Sequence, residues 1–94
     1  MFVILLRFAD DRSSAPQHMD GHKAWIAQGF EDGVFLLTGN LEPSRGGAIL
    51  AHSETLAEIE NRVNLDPFVK HKVVSAEIFE IKPGLADDRL QFLL

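Results

Sequence analysis

The stretch Gln17–Gly33, QHMDGHKAWIAQGFEDG, decides how the rest of the chain is read. Met19, His22, Ile26 and Phe30 fall at i, i+3, i+7 and i+11, which is one stripe of a 3.6-residue helix, with Trp25 and Gly29 flanking it. Gly33 supplies the residue that ends such a helix most readily. The stripe therefore predicts a helix over 17–32 with a titratable imidazole on the face it packs. An inward histidine is most simply a packed ring with one nitrogen satisfied, so His22 needs a partner before it acquires a task.

Working outward, Phe2–Phe8 (FVILLRF) is a short run apolar on both alternating sides, which predicts a strand covered on both faces. Ala9–Pro16 is a polar loop. Beyond the helix, Val34–Thr38 is a second strand, Gly39–Gly47 (GNLEPSRGG) a glycine-rich loop, and Gly47–His52 a third strand. Ser53 is placed to cap a second helix, whose apolar face is Leu56, Ile59 and Val63. Asp66-Pro67-Phe68 predicts a tight turn or single helical turn, because the residue before proline is pushed out of helical geometry. Val73–Lys82 is the fourth strand, with a slip in its alternation at Ile78-Phe79 that points to a bulge or to cover on both faces.

The order β-α-β-β-α-β predicts an α+β, ferredoxin-like domain over 1–83, with both helices on one face of a four-stranded antiparallel sheet. The other sheet face is apolar and has no cover within the chain. It predicts a homodimer packed sheet to sheet, a dimeric α+β barrel. Residues 84–94 form a tail whose DRLQFLL segment is apolar enough to dock, either as an arm onto a partner or as a fifth edge strand.

The totals exclude several classes of function. Ninety-four residues make one domain, and a net charge of −5 without a basic stripe gives no footprint for nucleic acid. There are no cysteines, so thiolate catalysis, disulfides and cysteine-type zinc sites are absent. The opening apolar run of five residues is shorter than a signal-peptide core and far shorter than a membrane span of about 20 residues, which predicts a cytoplasmic protein without membrane association. No phosphate-binding glycine loop, nucleophile elbow or dinucleotide fingerprint occurs.

For His22, a carboxylate on one imidazole nitrogen would fix the tautomer and leave the other nitrogen as general base or acid. Asp20 is two residues away and points to another side of the helix. Asp66, in the turn after the second helix, is a carboxylate that the fold could bring across. His18 lies four residues before His22, a spacing that can bind metal, but no glutamate follows it and no third ligand is evident, so no metal is expected. Trp25 could wall a planar ligand, and Arg45 in the glycine-rich loop could meet an anionic one.

MFVILL at the start, His22 in HKAWI, GVFLLTG over 33–39 and the Asp66-Pro67-Phe68 triplet together resemble the YciI-like (YCII-related) family across about residues 1–83. The resemblance implies a ferredoxin-like dimer with a His–Asp pair in a small pocket, mapped onto His22 and Asp66. The family's glycine turn after strand two maps onto Gly39. This chain has Met19 where many members have arginine, and Asn40 where many have proline. One branch of the family resembles enzymes that remove chloride from chlorinated hydroxyquinones.

The expected function is proton transfer by His22, oriented by Asp66, on a small cyclic or phenolic molecule. Trp25, Gly39, Asn40, Arg45 and Phe68 would contact that ligand, in a lyase or isomerase step without cofactor. The alternative is a non-catalytic dimeric module that binds a small metabolite or another protein.

Overall fold

A computed structural model of the chain describes residues 1–94. Four strands, β1 (Phe2–Phe8), β2 (Phe35–Leu41), β3 (Gly46–Ala51) and β4 (Val74–Glu80), form one antiparallel sheet in the order β2-β3-β1-β4. Helix α1 (Ala15–Glu31) joins β1 to β2, while α2 (Leu56–Val63) and the single-turn α3 (Pro67–Lys70) join β3 to β4. This is the ferredoxin-like α+β fold that the element order predicts.

The two sheet faces separate cleanly by register. Phe2, Ile4 and Leu6 of β1 sit beside Ala51 and Ile49 of β3 and alternate with Val3 and Leu5. The first set is buried under the helices with Phe35, Ile59, Val63, Phe68, Val73 and Val74. The second set lies on the opposite face with Leu37, Leu50, Phe79 and Ile81. There Leu37 and Phe79 are 53% and 49% exposed.

Local chemistry sets the ends of α1. Pro16 lies in its first turn, where a missing N–H costs nothing. Gly33, at φ 73°, turns the chain out, donating to the Phe30 carbonyl, and the Val34 N–H then reaches the Gly29 carbonyl. Gly29 is fixed by packing, since a Cβ there would stand 2.1 Å from the Phe35 ring. The absent side chain is what lets α1 settle onto β2.

Four expectations are corrected. The segment 39–47 is not a loop: β2 continues to Leu41, β3 starts at Gly46, and only Glu42–Arg45 turn, with a cis bond at Glu42–Pro43. Ladder pairing overrode the glycine-rich composition. The cap of α2 is Thr55 rather than Ser53, because Thr55 and Glu58 form a reciprocal capping box. The β-bulge falls between Phe35 and Leu37 in β2, whereas β4 pairs with β1 in unbroken register from Phe2–Glu80 to Phe8–Val74. The tail forms a 3-10 turn over Asp88–Leu93 rather than a fifth strand, and Phe92 meets the edge of His52 at 5.5 Å.

Candidate active site

Asp66 is the only fully buried acidic side chain, and the chain geometry explains how it is held. It caps α3: its Oδ1 accepts from the Phe68 N–H at 3.0 Å while Pro67 occupies the first helical position. The same oxygen lies 2.8 Å from His22 Nδ1. Oδ1 already accepts from a backbone amide, so Nδ1 is the donor and carries the hydrogen. In the neutral ring the basic lone pair is then on Nε2, which has no partner within the chain and is open to solvent. The other carboxylate oxygen, Oδ2, is buried with no partner.

Packing fixes the ring in a second way. The His22 imidazole stacks on Phe68 at 3.9 Å with 3° between the planes. Its side chain is 14% exposed. One residue thus supplies a face and the residue two before it supplies the hydrogen bond, both from the same short helix.

His22 lines a cavity of about 380 Å³ between the helices and the sheet. Met19, His22 and Ile26, the first three residues of the sequence stripe, form its roof; Phe30, the fourth, is 43% exposed. Leu6, Phe8, Val74 and Phe68 give an apolar wall, and Thr38, Gly39, Asn40 and Gly47 give the opposite side. Gly47 faces inward in register with Leu6 and Asn40, and its missing side chain keeps the floor open. Gly46, at φ 128°, could not carry a Cβ, which would stand 1.9 Å from the Leu6 carbonyl oxygen.

Of the residues singled out from sequence, His22, Gly39, Asn40 and Phe68 line this cavity, and Asp66 stands behind His22. Trp25 does not line it: its indole N–H donates to the Arg62 carbonyl at 2.9 Å and its ring meets the Phe35 edge. Arg45 sits in the β2–β3 turn, also off the lining. His18 stacks on His71 at 3.9 Å, and no group of three metal-ligating side chains occurs in the chain. Sequence reasoning missed Thr38 and Lys23. Thr38 and Asn40 alternate onto one face of β2, a signal hidden by ending that strand at residue 38.

Fold and site together define a ferredoxin-like α+β domain with a histidine–carboxylate hydrogen bond at the wall of a cavity. No protein-family model matches the chain, and no curated protein matches it in sequence. Among solved structures it superposes on the 5-chloro-2-hydroxyhydroquinone dehydrochlorinase TftG of Burkholderia phenoliruptrix AC1100, determined in complex with 2,5-dihydroxybenzoquinone. The TM-score is 0.66 at 16% identity, over 89% of this chain and 96% of that one. At that identity the likeness establishes the fold.

Proposed function

We propose that this chain is a small enzyme that transfers a proton on a cyclic or phenolic molecule, with His22 as general base and acid and Asp66 as the residue that orients it. The observation that carries the reading is the combination of His22 Nδ1 tied to a buried carboxylate at 2.8 Å and an unpartnered Nε2 on a ring that lines a cavity. Nε2 takes a proton from a substrate O–H or ring C–H. The electron pair left behind shifts into the ring, and the step ends in one of two ways. In an enol–keto shift the proton returns at another atom. In an elimination a leaving group departs with its bonding pair as the new double bond forms. Neither outcome changes the net oxidation state, so the step needs no oxidant or reductant. Asp66 keeps the imidazole in the productive tautomer and offsets the positive charge that it gains.

The resemblance to the YciI-like family and the superposition on a hydroxyhydroquinone dehydrochlorinase both favour a phenolic or quinonoid substrate. The exposed apolar sheet face around Val3, Leu5, Leu37, Leu50 and Phe79 favours a homodimer closed sheet to sheet. A dimeric mass at micromolar concentration is the expected result in solution, and a monomeric mass removes that part of the reading.

The chemical test uses two reactions. In D₂O the protein should speed exchange of the ring hydrogens of 2,5-dihydroxybenzoquinone, or release chloride from 5-chloro-2-hydroxyhydroquinone. His22→Gln should lose about 10²-fold of that acceleration. Rates equal to those without protein, or a His22→Gln variant as fast as the parent, overturn the proposal.

A further inference from the structure

The cavity has a chemical asymmetry that the His–Asp pair does not use. The chain carries 14 acidic and 9 basic side chains, a net charge of −5, yet no carboxylate lines the cavity and one cation, Lys23, does. Lys23 follows His22 on α1, is exposed to solvent, and forms no ion pair within the chain. The Arg12 guanidinium adds a second positive group, 3.9 Å over the ring of Phe8 in the apolar wall. Thr38 and Asn40, like Lys23, are exposed to solvent, so this is the open side of the cavity. One sign of charge there still attracts ligands of the opposite sign, with strength that falls as salt is added.

The remaining polar side chains of the lining, besides His22, are Thr38 and Asn40. They lie at i and i+2 on β2, so they share a face. Neither side chain makes a hydrogen bond within the chain, so both keep a free donor. Their neighbours across the ladder are Ile49 and Gly47, and Gly47 leaves the Asn40 amide uncovered.

We infer that Lys23, Thr38 and Asn40 form an oxyanion subsite that selects substrates carrying an ionised ring oxygen, a phenolate or enolate. The inference rests on the proton-transfer reading and names its substrate class. When Nε2 removes a proton, negative charge gathers on a substrate oxygen. The Thr38 hydroxyl and the Asn40 amide, carried on one face of β2, and the Lys23 ammonium can then donate to that oxygen from the open side of the cavity. The apolar wall opposite takes the rest of the ring. A lysine at a rim can also serve only through its methylene stem, covering apolar surface, and the test separates the two roles.

The probes are 2,5-dihydroxybenzoquinone, ionised at neutral pH, and hydroquinone, a neutral ring of similar size. Calorimetric titration should show the anion binding at least about tenfold more tightly than the neutral ring. Lys23→Met, which keeps the stem and removes the charge, should erase that preference without changing hydroquinone binding. Lys23→Arg should retain it, and added salt should weaken the anion alone. Equal affinity for the two rings, no anion binding at millimolar concentration, or an undiminished preference in Lys23→Met overturns the inference. The His22→Gln protein should keep the anion preference while losing ring-hydrogen exchange. Loss of exchange catalysis in the parent with the Lys23-dependent preference intact thus defeats the proton-transfer reading and leaves the subsite standing.

Discussion

Two imidazole stacks join α1 to α3, one helical turn apart, and they differ in everything except ring geometry. His22 lies on Phe68 and His18 lies on His71, each with centroids 3.9 Å apart and planes within 4° of parallel. Yet His22 is mostly buried, hydrogen-bonded through Nδ1 to Asp66, and lines the cavity. His18 and His71 make no side-chain hydrogen bond within the chain, and His71 is exposed. What sets His22 apart from His18 is the buried carboxylate on its Nδ1.

The largest effect should come from removing that carboxylate. Asp66→Ala takes away the α3 cap, the acceptor for the Phe68 N–H and the partner of His22 Nδ1 in one change. A loss of about 2–4 kcal/mol in denaturant unfolding is expected, together with loss of exchange activity. A cost below about 1 kcal/mol would mean that the two stacks are equivalent and that the carboxylate contributes little.

Asp66→Asn separates charge from shape. The amide oxygen can take the place of Oδ1 and accept from both Phe68 N–H and His22 Nδ1, while its NH₂ falls where the unpartnered Oδ2 was. Stability should change by no more than about 1 kcal/mol while exchange activity drops about 10²-fold. The nitrogen chemical shifts of His22 report whether Nδ1 still carries the hydrogen. Unaltered activity would show that the charge on Asp66 is not used.

His18→Ala, by contrast, removes a stack without a hydrogen bond. Its expected cost is below about 1 kcal/mol, with exchange activity within about twofold of the parent. A larger fall in activity would join the outer stack to the site.

Much of this was legible in the chain itself, for physical reasons that also explain the rest. The continuous apolar run FVILLRF and the 3.6-residue spacing of Met19–His22–Ile26 both report burial, so the element order and the inward imidazole could be read. The single turn at Asp66-Pro67-Phe68 was legible because proline restricts its neighbour. The extent of β2 was not. Gly39, Asn40, Gly46 and Gly47 carry no strand preference, and only pairing with β1 and β3 holds them extended. That is why Thr38 escaped notice as a cavity residue, whereas Lys23 lies beside His22 on α1, off the apolar stripe that marked the packed face. Trp25 could be placed near His22, at 6.0 Å, but nothing local shows that its N–H is spent on the Arg62 carbonyl.

A gentler probe compares how α1 is held on its two sides. Against α3 the contact is made by rings and a buried pair. Against α2 it is made by the Trp25 indole N–H on the Arg62 carbonyl and by charge, with Arg62, itself paired to Glu54, reaching Asp32 at the end of α1. Arg62, through a hydrogen bond to Asp32, holds that carboxyl below its ordinary value of 3.8, and the Thr55 amide holds Glu58 below 4.5. A carboxyl whose pKa is lower folded than unfolded contributes stability in full above its unfolded value. That contribution is lost as pH falls through its folded value. Stability on the α2 side should therefore hold at neutral pH and decline below about pH 4.5, beginning with Glu58. Both groups are exposed, so the decline is shallow and weakened by salt. Glu58→Gln should flatten the acid limb of a pH–Tm curve and lower Tm slightly at neutral pH, because the amide cannot serve the Thr55 N–H as strongly as a carboxylate. An acid limb of unchanged slope in Glu58→Gln and in Asp32→Asn would show that neither the charge in the α2 cap nor the Arg62–Asp32 pair between α2 and the end of α1 contributes to stability in acid.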